Sequence, residues 1–108
     1  MKATYWNRGE SIDYINSTSN VIEAGDIVVI DKKIGVAGIS INPNELGSLH
    51  VMGVWEVNKK ASEAIDVGKP VYYSATDGIT ATEGTNPSAG WCIKSAKAAD
   101  KTILIKIG

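Results

Sequence analysis

The chain has 108 residues, 44% of them hydrophobic, and a formal charge of −1 from 11 basic and 12 acidic side chains. That fits one domain with a modest core, small enough for oligomerisation to help its stability. It excludes the basic stripe of a nucleic-acid binder and an apolar run of membrane-spanning length, and the single cysteine excludes an internal disulfide framework. The start, Met1-Lys2-Ala3-Thr4-Tyr5-Trp6, lacks the hydrophobic core of a signal peptide, so synthesis in a reducing cytoplasm is expected.

Taken in order, Lys2 to Trp6 has strand propensity, and Asn7-Arg8-Gly9-Glu10 reads as a charged turn. Ser11 to Ile15 reads as a short strand, and Asn16 to Asn20, all small and polar, as a loop. From Ala24 to Gly38 the pattern is a β-hairpin: a Gly-Asp turn, a β-branched strand, a turn at Asp31-Lys32-Lys33, and a return strand thinned by glycines. Asn42-Pro43-Asn44-Glu45 carries a helix-start signature, which Gly47 limits to a single turn. Ser48 to Val57 alternates as one strand, with Leu49, Val51, Gly53, Trp55 and Val57 on one face. Its other face, with Met52 and Val54, is also partly apolar, so both faces should be covered.

Asn58 to Asp66 is the one candidate helix beyond a single turn, or else an ordered loop. Val67 to Ala81 repeats the hairpin plan, with Gly25 matching Gly68, Val28 matching Val71 and Ile30 matching Tyr73. Thr82 to Gly90 reads as a surface loop, Trp91 to Ser95 as a strand, and Ala96 to Asp100 as a turn. Thr102 to Ile107 closes the chain as a strand with Ile103, Ile105 and Ile107 on one face. Asn42-Pro43 and Asn86-Pro87 extend the match at a period of about 43 or 44 residues, and each copy is then followed by a strand with a tryptophan, Trp55 and Trp91. The expected fold is all-β: a single domain over residues 1–108, a small barrel or sandwich-like (β-clip-like) unit built from two similar hairpin-plus-strand halves.

Chemistry is hard to assemble from these residues. His50 and Cys92 are the only His and Cys, and a nucleophilic pair would need both; a strand histidine and a packing cysteine explain them more simply. No spacing offers metal ligands, and no cofactor is expected. Glu10, Asp26, Asp31, Asp66, Asp77 and Glu83 all fall at turns, as solvated carboxylates do. The single Gly-Lys, Gly68-Lys69, is followed by Pro70 and has Glu63 where a phosphate loop needs its first glycine. Trp6, Trp55 and Trp91 could form a stacking platform, or serve packing and subunit contact.

Several stretches together resemble a family of small phage and prophage proteins. They are Lys2-Ala3-Thr4-Tyr5-Trp6, Arg8-Gly9-Glu10, Asp13-Tyr14, Asn16-Ser17-Thr18, Ile22 to Val28, Ile34-Gly35-Val36-Ala37, Glu45 to Leu49 and Gly53-Val54. Gly68, Val71-Tyr72-Tyr73 and Gly90 also fit, so the resemblance spans nearly the whole chain. That family was long of unknown function and sometimes carried the label of a RecA/RadA-type phage recombinase. Its members are now regarded as capsid cement, or head decoration, proteins. The recombinase label conflicts with the missing phosphate loop and basic face.

The resemblance implies a structural protein without enzymatic activity on the outer surface of a virion capsid, made in the bacterial host. Its partner would be the major capsid protein of a phage, with neither nucleic acid nor membrane involved. Local symmetry at shell junctions implies a homo-oligomer, a trimer or alternatively a dimer. Lys2, Thr4, Tyr5, Trp6 and Arg8 are the expected capsid contact, since terminal arms often order on binding. Met52, Val54 and Trp55 are the expected subunit interface. The alternative is a small phage-displayed carbohydrate- or surface-binding β module that uses exposed tryptophans.

Overall fold

The computed structural model describes residues 1–108 and contains nine strands and no helix. They are β1 (Ser11–Ile15), β2 (Ile27–Ile30), β3 (Lys33–Ala37), β4 (Leu46–His50), β5 (Gly53–Asn58), β6 (Pro70–Ser74), β7 (Gly78–Thr80), β8 (Ser88–Cys92) and β9 (Thr102–Ile107). Two antiparallel sheets result, one ordered β1-β4-β3-β2 and the other β5-β9-β8-β6-β7. The barrel alternative is not realised. A single parallel bridge between Lys59 and Ile79 brings β7 back toward β5, and no ladder joins them.

The two halves are the same motif, with β1, β4, β3 and β2 answering to β5, β9, β8 and β6. Hydrogen bonds fix the correspondence. Gly25 N–H donates to Ala37 O (2.8 Å) and Ala37 N–H to Asp26 O (2.9 Å); Gly68 N–H donates to Cys92 O (2.7 Å) and Cys92 N–H to Lys69 O (2.9 Å). The isolated bridge of Ile22 with Ile41 has its counterpart in Ile65 with Ala96. Even a turn brace is repeated: Asn42 N–H donates to the Glu45 carboxylate (3.2 Å), as Lys97 N–H does to that of Asp100 (2.8 Å). Only β7 and the loop after it have no counterpart, since Asp31-Lys32 alone links β2 to β3.

Burial follows the strand period. In β9 Ile103, Ile105 and Ile107 are buried, and in β4 Leu49 is fully buried between half-exposed Ser48 and His50. Each such side chain contributes roughly 1.5–3 kcal/mol on burial. The larger core gathers Ile65, Val71, Ile79, Ala89, Cys92 and the β9 isoleucines, and it also takes Ile34 and Val36 from β3. The smaller core, Val28, Ala37, Ile41 and Leu49, lies on the other face of β3. That strand is therefore covered on both sides and joins the halves.

Several expectations change. Lys2 to Trp6 forms no strand, because nothing within the chain pairs with it. Ser48 to Val57 is two strands in different sheets, with the corner at Gly53, whose φ of 119° an L side chain rarely adopts. The inward parity survives the corner, which is why the alternation reads as continuous. Neither Asn42-Pro43-Asn44-Glu45 nor Asn58 to Asp66 is helical. The strand expected at Trp91 to Ser95 starts earlier, as β8, and carries a bulge at Ala89-Gly90 against β6. The matches of Asn42-Pro43 with Asn86-Pro87 and of Trp55 with Trp91 fail; the counterparts are Lys97-Ala98 for the first and Ile12 for Trp55.

Candidate interaction surface

The two residues that a nucleophilic pair would require lie apart. Cys92 is fully buried in β8, its thiol directed at Lys94 O (3.0 Å), while His50 lies half-buried in β4 of the other sheet. The His50 ring packs on Trp55 at 5.6 Å between centroids. No group of three His, Cys, Asp or Glu side chains comes together as a metal site. Several carboxylates brace turns: Asp26 accepts from Glu23 N–H (2.9 Å), and Glu45 and Asp100 accept as described above.

Sequence reading missed two buried polar anchors, Asn16 and Lys59, which follow β1 and β5 at corresponding positions. The Asn16 amide donates to Asn20 O (2.8 Å) and Ile41 O (2.9 Å) and accepts from Thr18 N–H (3.0 Å) and Thr18 Oγ1 (2.6 Å). Lys59 Nζ donates to Lys60 O (2.8 Å), to Glu63 O and, at 3.4 Å, to Ala98 O. Each side chain ties together backbone carbonyls of its half, Asn16 reaching across to Ile41 O and Lys59 across to Ala98 O. A signal existed only in the shared position after the strand; composition points both residues to the surface.

Residues 1–9 form an arm without a backbone hydrogen bond to the rest of the chain; the first such bond is from Val51 N–H to Glu10 O (3.0 Å). Lys2, Thr4, Tyr5, Trp6 and Arg8 are all exposed, Tyr5 at 78% and Trp6 at 89%. Arg8 meets Glu10 at 3.3 Å in solvent, a pair that contributes little to stability. Met52 and Val54 are exposed, whereas Trp55 turns inward against the larger core, so the three do not share a surface. Trp55 Nε1 is buried without a hydrogen-bond partner. Trp91 lies on β8, partly exposed, and an apolar cleft of about 440 Å³ opens between Ile12, Ile30, Ile34, Val51 and Ile107.

The chain thus combines paired β motifs, a free aromatic arm and apolar side chains on its outer faces. The model of the phage cement protein family matches residues 6–107, and the chain belongs to that family. It is a phage structural protein of all-β fold, from a family associated with the capsid. Comparison with curated proteins and with solved structures gives no match. No helix is long and apolar enough to cross a membrane.

Proposed function

We propose that this chain binds the outer surface of an assembled phage shell, at the junctions between capsomers, and stabilises it. The observation that carries this reading is the family match over residues 6–107. The mechanism is mass action. A ligand that binds only the assembled, expanded state favours it by about 2.7 kcal/mol per site at a hundred times its Kd.

The free arm supports the reading, because Lys2, Thr4, Tyr5, Trp6 and Arg8 are available to order on a neighbour in the shell. Ordering them costs about 1–2 kcal/mol per residue. Burying Tyr5 and Trp6 returns roughly 4–6 kcal/mol each. These terms nearly cancel, so rigid surfaces must supply the net affinity; Met52 and Val54 are exposed for a homotypic contact in a trimer or dimer. The test is co-sedimentation of the purified protein with isolated expanded and unexpanded shells. Saturable binding to expanded shells is the expected result; no binding at a hundredfold excess over shell sites overturns it. Exposure of Trp6 and Trp91 favours a second reading, glycan binding, which a glycan array with wild type and Trp91→Ala separates from the first.

A further inference from the structure

The duplication leaves β7 without a counterpart, and the place such a strand would fill in the first half is open. In the second half β7 lies along β6, with Thr80, Ile79 and Gly78 opposite Tyr72, Tyr73 and Ser74. Ile79 is fully buried in the cluster of Ile65 and Val71, with Val57 and Tyr73 packed against it. It also reaches the β5 side, where Lys60 N–H donates to its carbonyl (2.9 Å).

The counterparts of Ile65, Val71, Val57 and Tyr73 are Ile22, Val28, Tyr14 and Ile30; Val28 is in the smaller core and the other three, only partly buried, pack against it. Nothing in the chain takes the place of Ile79 among them. β2 pairs only with β3, Val29 is 47% exposed, and Ser17, the counterpart of Lys60, is exposed. An open cleft of about 460 Å³ lies between Tyr14, Thr18, Ile22 and Val29, with Tyr73 of β6 on its border.

We propose that this cleft and the free edge of β2 accept an added strand, and that the strand is the N-terminal arm of a second copy of the chain. The inference deepens the reading above, from which it takes the arm's role as a docking segment. Thr4-Tyr5-Trp6 has strand-forming composition and no backbone partner of its own. Laid antiparallel to β2 as β7 lies on β6, it puts Tyr5 opposite Ile30, in the place of Ile79. Trp6 then falls opposite Val29, an aromatic and β-branched cross-strand pair. The same register carries Arg8 to the start of β2, beside Glu23 and Asp26.

Chain length selects a second copy over the chain's own arm. A strand in this slot runs parallel to β1, and parallel neighbours need a connection of about a dozen residues. Only Asn7 to Glu10 separates Trp6 from β1. Arm-to-edge contacts are head-to-tail, so copies associate by exchanging arms or by closing a ring.

The test is light scattering over a concentration series with three proteins: the intact chain, a chain lacking residues 1–9, and Val29→Lys, which places a charge on the open edge. The intact chain should rise above its monomer mass of 11.4 kDa, while each variant alone stays at that mass. Mixing the variants should restore a dimer, because one offers the arm and the other the edge. A monomeric intact chain at every concentration, association unchanged in either variant, or a mixture that stays monomeric overturns the proposal. Shell binding is scored separately. Shell binding together with association that neither variant weakens removes this inference and keeps the cement reading; arm-dependent association without shell binding does the reverse.

Discussion

Replacing Asn16 with alanine should destabilise the first half of the molecule far more than its polar loop suggests. Four side-chain hydrogen bonds are lost, two donated to Asn20 O and Ile41 O and two accepted from Thr18. Ile41 O keeps the Ile22 N–H (3.0 Å), and the Thr18 hydroxyl proton released by Asn16 turns to Asn20 O (3.0 Å), so neither carbonyl is orphaned. The loss is therefore the net worth of the bonds, about 0.5–1.5 kcal/mol each, rather than the larger penalty for stranded groups. Thr18 is exposed, and water replaces part of its share. About 2–4 kcal/mol remains. For a domain of this size that lowers Tm by roughly 10–25 °C. Urea titration followed by circular dichroism measures it, and a loss below about 0.5 kcal/mol would refute the assignment of Asn16 as the anchor of its half.

Gly90→Ala should be among the most damaging single substitutions, since an added Cβ would lie 1.9 Å from Lys106 O at a φ of 87°. Thermal melts should show a loss of several kcal/mol, against about 1 kcal/mol for Gly25→Ala, where the new methyl meets open space. Deleting residues 1–9 should leave the stability of the monomer, measured at a concentration below self-association, within about 0.5 kcal/mol, as expected for a segment without hydrogen bonds to its own fold. Deleting Thr102 to Gly108 should abolish the folded circular dichroism spectrum, because β9 is the partner of both β5 and β8. Cys92 should resist a thiol reagent in the native protein and react fully in denaturant, and rapid native labelling would contradict its burial.

The first hairpin and the closing strand were legible because their side chains obey simple periods. Ile27 to Ile30 is β-branched throughout, and Ile103, Ile105 and Ile107 alternate with more exposed residues. The duplication was legible only as far as Ile30 and Tyr73. Beyond them the second half inserts β7 and its loop, and matching by residue type paired Asn86-Pro87 with Asn42-Pro43. The true counterpart turn, Lys97 to Asp100, shares the backbone geometry and the carboxylate brace without sharing the residues. Lys59 was hidden by its charge, since a lysine is normally solvated and only backbone carbonyls converging in space reveal why this one is buried. The arm's strand propensity was real, but a strand needs a partner edge, and composition cannot say whether the chain provides one. Exposure of the arm and of Met52 and Val54, once seen, made the expected contact residues a matter of surface rather than of motif.

The central claim, that this chain stabilises an assembled shell, is tested most directly by the disruption temperature of isolated expanded shells with and without the purified protein. Saturating protein should raise that temperature in step with occupancy, and deletion of residues 1–9 should reduce the gain. An unchanged disruption temperature at full occupancy would contradict the account, leaving a phage structural protein that sits on the capsid without cementing it.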